Sequence, residues 1–295
     1  MENNFDLSRE LEIAVALARN ADAAIMEIYE AGFVAEVKIG LDDFSEPVTI
    51  ADRKASRIIV DGLKSAFPDD GVLSEEEPDD DDRLTKNRVW FVDPIDGTNG
   101  FISKSGDFAI QIGLAIDGES VLGVVLESAR NKLFHAVKNR GTFLEIYRKN
   151  IKTRNDAKRL QASDKIDFSE MTIATSRSHR VTNTTRIVES LTVKNEIQRG
   201  SVGVKVGLIC EQVADLYVHL SPRSKQWDTC APEIILREAG GELTDLFGER
   251  IIYNTKDVQN LNGIVATNGA SHSKVVKNIK PLLSEFGRLR VVQKS

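Results

Sequence analysis

The chain has 295 residues, 41% hydrophobic and 28% charged, with a formal net charge of -6, the balance of a globular protein long enough for one large core or two fused ones. The acidic excess argues against a surface that grips a nucleic acid polymer, which needs clustered Lys and Arg. Only Cys210 and Cys230 occur, no apolar leader precedes the first helix, and no run nears the roughly 20 apolar residues of a membrane span, so a reduced, cytoplasmic protein without a disulfide framework is expected.

Leu7, Leu11, Ala14, Leu17, Ala21, Ile25 and Ile28 recur at the spacing of one helical face, which predicts an amphipathic helix from Asp6 to about Tyr29. A second is expected after Pro47, with Thr49 as its cap, Ala51, Ala55, Ile58, Ile59 and Leu63 as its buried stripe, and Phe67-Pro68 as its end. Two helices are therefore expected before any strand. From Gly71 the period shortens to β-rich runs at Val72-Leu73, Val89–Val92, Phe108–Ile116, Val121–Leu126 and Phe143–Tyr147. Asp117-Gly118-Glu119-Ser120 reads as a hairpin turn between two of them. Residues 1–150 thus read as an α+β lobe, helices on a largely antiparallel sheet.

Over residues 151–295, strands at Thr172–Ala174, Leu216–His219 and Gly263–Thr267 alternate with helical stretches near Arg186–Leu191, Val204–Val213, Pro232–Ala239 and Ser273–Phe286. That alternation marks an α/β second lobe. There is no internal repeat and no long Gly/Ser linker, so the lobes are expected to share an interface, with the site in the cleft between them.

The chemistry concentrates where apolar strands run into acids. Val89-Trp90-Phe91-Val92 leads into Asp93-Pro94-Ile95-Asp96-Gly97-Thr98. A strand end fixes Asp93, Pro94 stiffens the bend, and Asp96 and the Ile95 carbonyl can converge with Asp93 as the hard oxygen ligands Mg²⁺ requires. Gly97-Thr98 leaves room for an anion and opens a helix. Gly71-Val72-Leu73-Ser74 likewise ends in Glu75-Glu76, whereas the following Asp79 to Asp82 run reads as a solvated loop. In Trp227-Asp228-Thr229-Cys230-Ala231-Pro232-Glu233, Asp228 takes the place of an N-cap and Pro232 that of a first-turn residue. Thr49-Ile50-Ala51-Asp52 has the spacing of a capping box. Each acid alone has a plain structural explanation as a cap or turn. Together, rigid carboxylates on strand ends and caps are what a multi-metal phosphoryl-transfer site needs. No Ser-His-Asp set, zinc-spaced cluster or Walker loop competes, and His135, His179, His219 and His272 are scattered.

These motifs resemble the inositol monophosphatase superfamily of lithium-sensitive, Mg²⁺-dependent phosphatases. Asp93-Pro-Ile-Asp-Gly-Thr98 is similar to its first signature, and Trp227-Asp228 with Ala231 and Glu238-Ala-Gly-Gly241 to its second. Within it, Thr175-Ser176-Arg177-Ser178-His179, Gly200-Ser201-Val202-Gly203-Val204-Lys205 and Lys225 to Glu233 resemble the 3'(2'),5'-bisphosphate nucleotidases, which remove the 3'-phosphate of 3'-phosphoadenosine 5'-phosphate. Ser201 at a glycine-like position and Asn99-Gly100-Phe101 depart from those relatives.

The resemblance implies a layered αβαβα fold with the site between its lobes, and two or three Mg²⁺ ions. Glu75, Asp93 and the Ile95 carbonyl would hold one, Asp93, Asp96 and Asp228 a second, with Glu76 assisting a third. Thr98, hydrogen-bonded to Asp52, would orient and deprotonate the attacking water. Gly97, Thr98, Ser176, His179, Ser201, Lys205 and Asp228 would bind substrate, a small phosphorylated metabolite. Neither nucleic acid nor membrane is an implied partner, and family members often form homodimers. The nearest rival is the same metal site acting on inositol phosphates or fructose 1,6-bisphosphate. A non-catalytic acidic module binding cations through Glu75 to Asp82 leaves Asp93, Asp96 and Asp228 unexplained.

Overall fold

A computed structural model describes residues 6–40, 45–79, 81–146, 157–177 and 182–292. The first stripe folds as predicted: α1 (Ser8–Ala31) buries Ala14, Ala18, Ala21 and Ile25 along one face, and α2 (Ile50–Ala66) lies close beside it, with Gly62 against Leu17. Thr49 starts α2 by accepting from the Ala51 amide at 3.1 Å, while Asp52 returns to accept from the Thr49 amide at 2.8 Å, the reciprocal bonds of a capping box.

The two helices do not precede every strand. An antiparallel hairpin of β1 (Ala35–Ile39) and β2 (Ser45–Thr49) lies between them. β1 is exposed along most of its length, so it lacks the alternation of apolar and polar residues that would reveal a half-buried strand.

A seven-stranded sheet follows in the order β3 (Gly71–Ser74), β4 (Arg88–Asp96), β5 (Ala109–Ile116), β6 (Glu119–Glu127), β7 (Lys132–Val137), β8 (Gly141–Ile146) and β9 (Lys158–Leu160). β3 runs parallel to β4 and the other neighbours are antiparallel. The short α3 (Thr98–Ile102) leaves the end of β4. The second sheet joins β10 (Thr172–Ser176), β11 (Asn195–Arg199), β12 (Leu216–His219), β13 (Glu242–Thr244) and β14 (Ile264–Thr267) in the order β11-β10-β12-β14-β13. β10 is parallel to both β11 and β12, and β14 is antiparallel to β12 and β13. Its helices are α4 (Thr182–Leu191), α5 (Val202–Cys210), α6 (Gln226–Glu238) and α7 (His272–Glu285).

Packing arranges these as five layers. One core joins α1 and α2 to the outer face of the first sheet, a second places α5 and α6 between the sheets, and a third seals α4 and α7 over the second sheet. This is the expected αβαβα order. The central layer is thin because Gly113 and Gly123 face α6: a Cβ on Gly113 would lie 2.7 Å from the Ala231 amide nitrogen, and one on Gly123 2.5 Å from the Ala231 carbonyl. No real side chain fits there, so α6 rests directly on β5 and β6.

α6 corrects one expectation. It begins at Gln226, so Asp228 is its third residue and not its cap, and Pro232 falls in the second turn. The Asp228 carboxylate accepts from the Lys225 amide at 2.7 Å, which closes the first turn earlier than Pro232 suggests. Pro232 forgoes only its own bond back to the Asp228 carbonyl.

Candidate active site

The end of β4 sets the site. Residues three apart on a regular strand point to opposite faces. Here the pairing with β5 shifts between Asp93, opposite Gln111, and Asp96, opposite Ala109. The bulge falls at Pro94, which has no amide to give the ladder. Pro94 and Ile95 therefore oppose Ile110 alone, two residues against one, and both carboxylates reach the same side. Asp228 arrives from α6, and oxygens of Asp93, Asp96 and Asp228 lie within 4.8 Å of one another.

The protein balances this charge only in part, through Lys205 beside Asp96 and Lys225 beside Asp228. Burial, then repulsion from Glu75, Asp96 and Asp228, holds the Asp93 carboxyl well above the usual range. Burial pushes Asp228 up to about 8, helped by Asp96 and Glu75. Burial also raises Asp96, opposed by Lys205, Ser201 and the Gly203 amide. Three converging hard oxygen donors with incompletely compensated charge fit a divalent cation such as Mg²⁺, which would displace protons on binding.

Glu75 and Glu76 follow β3 as expected, but they stand outside the three-carboxylate group. Lys38 of β1 donates to Glu75 Oε1 at 2.9 Å and also to Glu76 Oε1. Glu75 lines the same cavity as Asp96 and Asp228. Burial and the neighbouring Glu75 push Glu76 up to about 7. Asp79, Asp81 and Asp82 are exposed, as read for the acidic run, although buried Arg83 holds the Asp79 carboxylate at 2.7 Å. Asp80 lies outside the described residues.

Gly97, at φ 91, turns the chain from β4 into α3 and places Thr98 over the site. Thr98 Oγ1 is 3.3 Å from Asp52 Oδ1 and 3.3 Å from the Ile95 carbonyl. The other Asp52 oxygen accepts from the Thr49 amide and hydroxyl at 2.8 and 2.7 Å. Burial pushes the Asp52 carboxyl up to about 6, with the Thr49 hydroxyl pulling the other way.

A cavity of about 260 Å³ opens from this cluster, and Gly97, Thr98, Ser176, Ser201, Lys205 and Asp228 all line it. His179 lies outside the described residues. Ser201 has φ 61, so the glycine-like position is real. Its hydroxyl donates to Asp96 Oδ2 at 2.5 Å, accepts from the Val204 amide at 3.0 Å and so caps α5. The Lys205 ammonium is buried, donates to the Ser201 carbonyl and lies 4.6 Å from the Tyr217 ring centroid. Burial pulls it down to about 8, against the attraction of Asp96.

Sequence reasoning missed Lys38, Tyr217 and His219 at this site. Lys38 gives no local signal, being one cation on an exposed strand. Tyr217 and His219 lie at the carboxyl end of β12, where ligands of such sheets bind, and that position was readable. His272, by contrast, is a satisfied core residue, bridging Thr244 at 3.0 Å and Thr267 at 3.1 Å.

An acidic cluster on a strand end, a hydroxyl–carboxylate pair beside it and a layered αβαβα frame define a metal-assisted phosphatase. The chain belongs to the inositol monophosphatase family, whose model matches residues 6–283. The 3'(2'),5'-bisphosphate nucleotidase CysQ of Salmonella typhimurium is 35% identical over 251 residues, 84% of this chain and 95% of that protein. A fructose-1,6-bisphosphatase/inositol-1-monophosphatase of Thermotoga maritima is 28% identical over 94% of this chain and 98% of its own length. The crystal structure of CysQ from Bacteroides thetaiotaomicron superposes with a TM-score of 0.73 at 29% identity, covering 90% of this chain and 99% of that one. No described helix is long and apolar enough to cross a membrane.

Proposed function

We propose that this phosphatase hydrolyses the 3'-phosphate of 3'-phosphoadenosine 5'-phosphate, giving AMP and phosphate, with Mg²⁺ as cofactor. The observation that carries the reading is one continuous cavity that joins Asp96, Asp228 and Thr98 to Ser176, Ser201 and Lys205. Likeness to the Salmonella nucleotidase supports the choice of substrate.

In this reading residues 1–150 and 151–295 are the two lobes, with β9 crossing back to complete the first sheet. Glu75, Asp93 and the Ile95 carbonyl would hold one ion, Asp93, Asp96 and Asp228 a second, and Glu76 would assist a third. Bound Mg²⁺ supplies Lewis-acid stabilisation of charge on the attacked phosphoryl group and the departing oxygen. Thr98 orients the attacking water and passes its proton toward Asp52, whose raised carboxyl suits a base working near neutrality. Lys205 adds fixed positive charge beside Asp96, and Ser176 and His179 engage the nucleotide end. A homodimer is the one macromolecular assembly proposed.

The Thermotoga relative supports a second reading, the same chemistry on an inositol phosphate or fructose 1,6-bisphosphate. Phosphate release from 3'-phosphoadenosine 5'-phosphate, inositol 1-phosphate and fructose 1,6-bisphosphate, measured side by side with Mg²⁺, decides between them. A strong nucleotide preference is expected. Preference for either other substrate keeps the metal site and overturns the substrate.

A further inference from the structure

Behind one wall of the cavity lies a charge cluster that the chemistry above leaves unused. Asp107, on the loop between α3 and β5, has a side chain only 1% accessible, and its carboxylate meets three guanidinium groups. Arg130 lies at 2.6 Å, Arg177 at 3.0 Å and Arg199 at 3.7 Å. Glu127 adds one carboxylate, 3.5 Å from Arg130. Among the described residues Arg177 and Arg199 meet no acid except Asp107, so the arginines outnumber the acids even with Glu127 counted. One buried carboxylate is compensated by one guanidinium. Further arginines repel the first, and such a surplus is suited to an anionic ligand, which planar, multi-donor guanidinium groups bind well. The exposure fits this: Arg177 and Arg199 keep 48% and 35% of their side-chain surface while the acid between them is buried.

The cluster also borders the substrate cavity. Arg177 directly follows β10 and Arg199 ends β11, adjacent parallel strands in which Ser176 pairs with Arg199. Ligands of parallel sheets bind outside the carboxyl ends of their strands. Ser176, Gly100 and Gly200 line the cavity. The wall at Gly100 is thin, since a Cβ there would lie 2.3 Å from the Asp107 carbonyl. Gly200 donates its amide to Asp107 at 3.1 Å, and Ser201 donates to Asp96 at 2.5 Å. Consecutive Cα atoms stand about 3.8 Å apart, so the arginine cluster and the acidic cluster are anchored to neighbouring residues of one turn.

We infer that Arg177 and Arg199, gathered by Asp107 and backed by Arg130, form a second anion subsite that takes the substrate phosphate that is not hydrolysed. The inference rests on the bisphosphate reading above and names the side chains that would enforce it. The test compares kcat/KM for 3'-phosphoadenosine 5'-phosphate with kcat/KM for adenosine 3'-monophosphate in the wild type and in Arg177→Ala, Arg199→Ala and the conservative Arg177→Lys. The ratio is independent of the fraction of folded enzyme. It is expected to fall at least tenfold in each alanine variant, mainly through KM for the bisphosphate, and by less in Arg177→Lys. A ratio that stays within twofold of the wild-type value in both alanine variants overturns the subsite and leaves the bisphosphate reading standing. A wild-type enzyme with no preference for the bisphosphate sinks that reading, and the subsite with it.

Discussion

Ser201 Oγ donates to Asp96 Oδ2 at 2.5 Å, tying a hydroxyl at the start of α5 to a carboxylate at the end of β4. The same hydroxyl caps α5, and the Gly203 amide adds a second bond to the same Asp96 oxygen at 2.9 Å. Ser201→Ala removes both roles of the side chain and leaves a Cβ at φ 61. Loss of an N-cap and of a hydrogen bond to a charged group predicts about 2 kcal/mol of destabilisation in urea unfolding. Ser201→Gly relieves the left-handed backbone and is expected to lose less. Equal stability of the alanine variant and the wild type would mean that this bond contributes nothing net.

Thr98 and Asp52 are expected to act as one unit. Thr98→Ala and Asp52→Asn should each lower kcat by about 100-fold or more, the scale of a lost general base. The double variant should be little worse than either single one, because residues in one relay are not additive. Calorimetric titration should show Mg²⁺ binding retained in Thr98→Ala. Turnover that survives both single substitutions would remove the pair from the mechanism.

Glu127 supplies a pH dependence away from the three-carboxylate group. It is 2% exposed, and burial pushes its carboxyl from 4.5 up to about 7 against the pull of Arg130 and Lys132. Below pH 4.5 the group is protonated in both folded and unfolded chains and has no effect. Between about 4.5 and 7 the unfolded chain releases the proton while the folded one keeps it, so stability falls as pH rises and levels off above 7. The full loss is on the order of 3 kcal/mol. Glu127→Gln should therefore gain on the wild type between pH 5 and pH 8 in urea titrations. A stability difference that is flat across that range contradicts the raised carboxyl.

The convergence of Asp93, Asp96 and Asp228 was readable because its parts are local: an apolar strand, a proline and two acids fall within a few residues at Asp93 to Asp96, and Asp228 sits inside a recognisable Trp227-Asp228 stretch. The core followed the same logic, since the buried faces of α1 and α2 keep a helical period and β4, β5 and β6 are nearly continuous apolar runs buried on both faces. What stayed hidden depends on distant chain segments meeting. Lys38 reaches Glu75 and Glu76 from an exposed hairpin strand, and Asp107 collects arginines from positions 130, 177 and 199. β11 was missed because only Ile197 among its residues is apolar. The start of α6 was misplaced because Pro232 is ordinarily a first-turn residue, while the bond between Lys225 and Asp228 that starts the helix is not visible in composition.

Arg83 joins the acidic loop after Glu76 to the segment near Asn254. Its side chain is 1% accessible, it grips Asp79 through Nε and Nη2, and Nη1 donates to Asn254 Oδ1 and the Thr255 carbonyl at 3.0 Å each. Every part of the guanidinium is thus matched, so its burial is tolerated. Arg83→Ala deletes those bonds together, strands the Asn254 and Thr255 acceptors and opens a void. Breaking a buried charged network of this kind costs about 3 kcal/mol or more. Arg83→Lys recovers only part, because one ammonium cannot reproduce the planar fork. The hydrogen exchange of residues 81–86 and 252–256 should rise together in Arg83→Ala. Faster exchange in the acidic loop alone would show that Arg83 holds Asp79 without joining the two segments.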